Sequence, residues 1–162
     1  MGMTGNYFRA DEFTIQRIKR GSICDIIYEE EWGDNILNID KAWHAIHFTL
    51  TGCAYEGAED NILSQLVLGG TPVNGEDLGY GPARLLDRDT VRQMADALEE
   101  WDEALFRKNF NMVEMRANDV YPMINGEDEG VFYTYVWENF AGLKEFFMKA
   151  AEEGQGIISF IA

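Results

Sequence analysis

Residues 39–52, with the sequence IDKAWHAIHFTLTG, constrain the fold of this chain more than any other segment. Four side chains recur at the spacing of one helix face: Trp43, Ile46, His47 and Leu50. Asp40 is predicted to cap the start of this helix, and Gly52 is predicted to end it. Alanines and a phenylalanine widen its apolar side, so we expect a buried central helix that carries both histidines.

The remaining segments predict an α+β fold. Strands are predicted over residues 3–10, 83–86 and 157–161, with the first and last strands as neighbours. Helices are predicted after the cap residues Asp11, Ser22, Asp87 and Asp102, and over residues 41–51, 58–68 and 131–151. Residues 29–38 and 71–80 are predicted to be connections, the second because it contains Pro72, Gly75 and Gly79. We therefore expect a single domain over residues 1–162, in which a small sheet packs against several helices.

Composition limits the classes of partner. The chain has 162 residues and a formal net charge of −16, with 46% apolar residues, so we expect a folded acidic domain. Nucleic acids and anionic membranes are disfavoured as partners, because a phosphate surface attracts cationic groups. Two cysteines, Cys24 and Cys53, form no disulfide framework, and no targeting or membrane-spanning segment is evident. We expect a cytoplasmic protein with reduced thiols, and the oligomeric state stays open.

Several segments together resemble a bacterial family of unknown function, the YfbM-like family (domain of unknown function 1877). The segments that carry the resemblance are Met1 to Met3 with Tyr7, IDKAWHAIHFTLTG at 39–52, LSQLVLGG at 63–70, GYGPARLL at 79–86, and Tyr121-Pro122. The segment at 39–52 is specific to this family, whereas each of the others is a weak signal when taken alone. This resemblance implies an α+β domain from a cytosolic bacterial protein, and it implies no catalytic residue.

The two histidines are the first candidates for chemistry. His44 and His47 are spaced i, i+3 on a helix, and a zinc site would need a third ligand and usually a fourth. A Cys53–His47 nucleophile pair would need an orienting group and an oxyanion hole. Neither constellation is complete in the sequence, so no metal, cofactor or catalytic residue is predicted. The alternative is a core role, with His47 bonded to a carbonyl or carboxylate, His44 bonded to Asp40, and Cys53 a buried free thiol.

A second candidate site is a polar pocket at the start of the central helix. If the glycine-rich loop at 79–84 folds over that end, ligand-binding groups would converge there: Tyr7, Asp40, Lys41, His44, His47, Tyr80 and Arg84. A structural polar network that locks the loop onto the helix is an equal alternative. In that case Arg84 would pair with one of the many acidic residues.

Two functional hypotheses follow. The first is a non-enzymatic binding protein, for example an acidic immunity-type partner that neutralises a basic protein. It depends on the net charge and on a surplus of aromatic residues in 131–151, some of which could form a partner surface. The second is an enzyme or sensor that binds a small molecule near Lys41, His44 and Arg84.

Overall fold

The fold is built on a five-stranded antiparallel sheet. A computed structural model describes residues 2–29, 32–123 and 126–162. In these residues the strands follow the order β2-β1-β5-β4-β3. Their bounds are β1 Gly5–Ala10, β2 Ile36–Asn38, β3 Thr71–Asp77, β4 Pro82–Leu86 and β5 Gly156–Ile161. The first and last strands pair along their whole length, from Gly5 opposite Ile161 to Ala10 opposite Gly156, which confirms that they are neighbours.

Eight α-helices surround this sheet in the described residues. They are α1 Glu12–Arg20, α2 Ile23–Glu29, α3 Trp43–Thr51, α4 Gln65–Leu68, α5 Arg88–Leu98, α6 Glu103–Asn109, α7 Met112–Ala117 and α8 Glu129–Glu152. Short 3₁₀ turns occupy Gly33–Asn35, Asp40–Ala42 and Ile62–Ser64. Aspartate side chains accept from a backbone N–H in the first turn of four helices, α1, α5, α6 and α8. None of the described helices is long and apolar enough to cross a membrane.

The two faces of the sheet bury separate cores. Side chains alternate along each strand, so Tyr7 and Phe8 of β1 belong to different cores. The smaller core contains Phe8 and is covered by α1 and α2. The larger core contains Tyr7 and gathers residues from α3 to α8. The α+β prediction is therefore confirmed, with the central helix α3 in the larger layer.

Three sequence predictions about secondary structure are wrong. Residues 36–38 and 71–77 are strands, not connections, and both lie at the edges of the sheet. Most of β3 is exposed and only Val73 is buried, so it lacks the apolar pattern of an inner strand. An edge strand also tolerates Pro72, which a central strand would not. The helix predicted over 58–68 begins only at Ile62, because the Asn61 side chain accepts from the Leu63 N–H and starts the 3₁₀ turn there.

The central helix is buried on all sides, as its sequence predicts. Residues 43–50 are all buried, including both histidines. Gly52 ends the helix with a left-handed φ of 74°, and its N–H donates to the Phe48 carbonyl. The predicted cap at Asp40 is wrong, because that residue lies inside the preceding 3₁₀ turn with a φ of 50°. The Asp40 carboxylate accepts from the Tyr135 hydroxyl instead.

The long helix α8 is confirmed, but its aromatic residues form no exposed face. Phe132, Phe140, Phe146 and Phe147 are buried. Tyr133, Tyr135 and Trp137 are half-buried and pack against the larger core. The aromatic residues of α8 therefore pack in or against the core, and the Tyr133 ring also makes a cation–π contact with Arg107 at 4.5 Å.

Candidate functional site

His44 joins three segments of the chain. Its Nδ1 accepts from the Tyr121 N–H at 2.8 Å, so in the neutral ring Nε2 carries the proton and donates to the Ala54 carbonyl at 2.6 Å. The ring stacks on Trp43 and lies against Tyr55. Burial lowers the pKa of His44, against a smaller opposing effect of the bond to Ala54. The predicted bond to Asp40 is absent, since both ring nitrogens are engaged elsewhere.

His47 is fully buried, and neither ring nitrogen makes a hydrogen bond of ordinary geometry with any described residue. Burial lowers its pKa to about 4, and the nearby charge of a protonated His44 acts in the same direction. Backbone groups of Tyr55 and Glu56 lie close enough to oppose this effect in part. The ring is therefore a neutral core side chain at pH 7.

The start of α3 carries a closed polar network. The Tyr135 hydroxyl donates to Asp40 Oδ2 at 2.7 Å and accepts from the Lys41 N–H at 3.0 Å. The Gly2 backbone packs against the Tyr121 hydroxyl and the Lys41 side chain. Burial and the Asp40 carboxylate raise the pKa of Tyr135. These groups satisfy one another without the loop at 79–84, so this network is not the one considered from the sequence, which locked that loop onto the helix.

The other predicted pocket residues lie apart from this network. Arg84 is on β4, and its Nη1 donates to the Gly70 carbonyl at 3.3 Å. Tyr80 is exposed in the turn before β4, and the buried Tyr7 hydroxyl donates to the Leu66 carbonyl. Within the described ranges, no hydrogen bond, ion pair or ring contact joins Arg84 or Tyr80 to Lys41 or His44. Lys41, His44 and Arg84 line none of the five best-formed pockets on the described surface.

The cysteines do not approach the histidines. Cys53 is exposed, so its predicted burial is wrong, and Cys24 lies near Glu76 on the opposite side of the sheet. Among the described residues no three His, Cys, Asp or Glu side chains gather in an arrangement that could hold a metal ion.

The polar network at the start of α3 makes a measurable contribution to stability. Tyr135→Phe removes two hydrogen bonds and is expected to lower the free energy of unfolding by about 1–2 kcal/mol. Tyr133→Phe on the same helix is the matched control, because the Tyr133 hydroxyl makes no hydrogen bond of ordinary geometry and has only a looser contact with Glu103. Urea unfolding of both variants measures the difference. Equal losses would mean that the Asp40–Tyr135–Lys41 bonds contribute nothing specific.

A large groove opens at the other end of α3. Its volume is about 710 Å³, and its lining comes from the end of α3, the connection between α5 and α6, and the residues around α7. Trp101 and Leu105 supply apolar surface. Five amide or carboxylate side chains surround them: Glu100, Asn109, Asn111, Glu114 and Asn118.

The electrostatics of this groove favour a cation. Glu100 and Glu114 are exposed carboxylates, and the lining contains no lysine or arginine. Residues at or just beyond the ends of α3, α5 and α6 also line it, namely Thr51, Glu100 and Asn109. A helix C-terminus carries a partial negative charge, so three helix ends add to the two carboxylates, while the start of α7 at Asn111 contributes a smaller charge of the opposite sign. Lys144 donates to the Trp101 carbonyl at 3.2 Å without lining the groove.

Sequence reasoning did not find this groove. The acidic run at 99–103 around Trp101 was visible, but spread acidic residues usually mark only a solvated surface. Asn109 and Asn111 flank the break between α6 and α7, where asparagine is equally explained by capping. Only the fold brings these two segments beside the end of α3.

Fold and site together define an α+β domain with an acidic groove and no assembled catalytic group among the described residues. A family described as "Domain of unknown function (DUF1877)" matches residues 1–160, and the chain belongs to this family. It is 30% identical over 133 residues to Protein YfbM of Escherichia coli (strain K12), which covers 80% of this chain and 78% of that protein. The crystal structure of YfbM from Escherichia coli, a protein of unknown function, superposes with a TM-score of 0.77 at 24% identity, over 98% of this chain and 99% of that one. At this identity the superposition shows the fold alone.

Proposed function

We propose that this protein is a non-catalytic binding protein that takes a lysine- or arginine-rich segment of a partner protein into the acidic groove. The observation that carries the proposal is the groove itself. It combines a volume of about 710 Å³ with two carboxylates, three helix C-termini and no cationic side chain in its lining.

Each part of the lining suits such a segment. An arginine or lysine side chain that pairs with Glu100 or Glu114 would make a charge-assisted hydrogen bond. Half-buried Trp101 offers a ring on which a guanidinium can stack. Each of the three asparagine side chains of the groove makes one bond to its own helix, and the remaining amide donors and acceptors suit the backbone of an extended segment.

The overall charge supports the same partner class. A net charge of −16 creates a long-range field that attracts a basic protein and accelerates the encounter. This long-range field alone gives little specificity, so the groove would fix the orientation of the bound segment. An immunity-type protein that neutralises a basic partner is one concrete form of this function.

The test is a titration with a fluorescently labelled arginine-rich peptide at low and moderate salt. The double variant Glu100→Gln with Glu114→Gln is expected to weaken peptide binding about tenfold or more, because it removes two charge-assisted partners. The isosteric amides leave the groove volume unchanged, so an effect on affinity reports its charge.

A charge-matched control separates the groove from the general field. Glu12→Gln with Asp25→Asn makes the same change in net charge on α1 and α2, which cover the opposite face of the sheet. This control is expected to change the affinity by no more than about twofold. Equal weakening by both pairs would mean that net charge alone attracts the peptide, and it would overturn the proposal.

A further inference from the structure

A second pocket, separate from the acidic groove, lies between α8 and the β1–β2 edge of the sheet. It has a volume of about 520 Å³ and is lined by Arg9, Asp34, Leu37, Glu145, Phe146 and Lys149, with Gly142 at its wall. Leu37 and Phe146 form an apolar part, and the four charged residues comprise two cations and two anions. The lining itself is therefore neutral and carries both signs of charge, and Glu153 beside it pairs with both cations, at 2.8 Å from Arg9 and 3.3 Å from Lys149.

Arg9 is the buried charge of this pocket, with only 5% of its surface exposed. Its Nη1 donates to Glu153 and Gln155, both at 2.8 Å, and its Nε donates to the Asp34 carbonyl at 3.3 Å. No described residue accepts from Nη2. The guanidinium is held rigidly, with its Cζ 5.8 Å from the centre of the Phe146 ring. A rigid guanidinium with donors to spare is suited to a carboxylate.

Gly142 is an independent sign that this space is kept open. It lies inside the 24-residue helix α8, where glycine is less favourable than alanine. A Cβ at this position would meet no atom within 4 Å, so packing does not require glycine there. The glycine follows the same helix stripe as Phe146, Lys149 and Glu153, and its missing side chain widens the pocket beside Arg9.

We propose that this pocket binds a small zwitterion with an apolar side chain, that is, a free α-amino acid of the leucine or phenylalanine type. Its carboxylate would accept from Arg9 and Lys149, its ammonium would face Asp34 and Glu145, and its side chain would lie on Leu37 and Phe146. A dianion such as phosphate would meet two carboxylates, and a cation would meet the arginine. Only a ligand with both charges is matched at both ends.

Calorimetric titration of the 162-residue chain with L-phenylalanine and L-leucine tests this proposal. We expect a Kd below about 1 mM for at least one of them. N-acetyl-L-phenylalanine and L-phenylalaninamide each lack one charge and are expected to bind about tenfold more weakly or worse. Failure of both amino acids to bind at about 10 mM, or equal binding of either analogue, would overturn the proposal.

Two variants test whether the amino acid binds in this pocket. Gly142→Leu fills the pocket from a helix position that favours leucine over glycine, and it is expected to abolish binding while raising thermal stability. Lys149→Gln is expected to weaken binding about tenfold without removing the buried Arg9. Thr134→Leu, at an exposed position of the same helix, is the control and should leave the affinity unchanged. Unchanged binding in Gly142→Leu would contradict the assignment of the pocket.

Discussion

Acidification from about pH 6.5 to pH 4 is expected to lower the free energy of unfolding by about 3 kcal/mol through His47 alone. The cause is its burial, which lowers the pKa from 6.5 in the unfolded chain to about 4 in the folded protein. Between these values the unfolded state binds the proton and the folded state does not. The contribution of His47 to the stability is therefore fully present above pH 6.5, and it is lost progressively as the pH falls towards 4.

His44 adds to this loss in the same direction. Its pKa is also lowered by burial. A proton on Nδ1 would in addition replace the acceptor of the Tyr121 N–H with a second donor. Other groups with a lowered pKa are carboxylates such as Asp11 and Asp87. Their protonation destabilises the protein only at more acidic pH, because the ordinary pKa of aspartate is already 3.8.

His47→Leu isolates the contribution of His47 to the pH dependence of stability. Leucine is apolar and favours a helix, so it suits this buried helical position. The change removes no protein hydrogen bond of ordinary geometry. Urea unfolding at a series of pH values is expected to show a much smaller pH slope between 6.5 and 4 than in the natural chain. An identical slope in the two proteins would assign the acid sensitivity to other groups.

His44→Phe is expected to lower the free energy of unfolding by about 2–4 kcal/mol, because it leaves two backbone groups without partners. Phenylalanine keeps the planar ring that stacks on Trp43, so the loss reports the bonds to Ala54 and Tyr121 and not the ring itself. Amide hydrogen exchange should accelerate at Tyr121, whose N–H donates to the histidine.

Tyr55→Phe is the control for this substitution. Tyr55 contacts the other side of the His44 ring and is 66% exposed. Loss of its hydroxyl is expected to change the stability by less than about 0.5 kcal/mol. A comparable loss in both variants would show that the bonds of His44 to Ala54 and Tyr121 contribute nothing specific to the stability.

The sequence predicts the interior of this fold better than its edges. The central helix, the long helix α8 and the first and last strands carry strong apolar patterns, and the structure confirms each of them. The strand at 71–77 was missed because an edge strand buries little, so its turn-forming residues dominate the pattern. The three-residue strand at 36–38 is too short to show alternation.

The candidate sites show a different limit. Residues 40–44 are adjacent in the chain, but at the predicted polar pocket Asp40 and the Lys41 N–H bond Tyr135, which was not among the predicted residues. Arg84 and Tyr80 could be assigned to it only by assuming how a loop folds, and the sheet places them elsewhere. The acidic groove draws on segments around residues 50, 100 and 110, so no local pattern could reveal it. The Arg9 pocket is hidden in the same way, because its residues come from β1, β2, the 3₁₀ turn before β2 and α8.

The most direct measurement of the proposed function is a two-dimensional ¹H–¹⁵N spectrum recorded during titration with the arginine-rich peptide. Trp101, which has an indole N–H, and Asn109, Asn111 and Asn118, which have side-chain amides, all line the groove. We expect these signals to shift together and saturably, while those of α1 and α2 stay in place. Shifts spread evenly over the acidic surface, or confined to α1 and α2, would contradict the account.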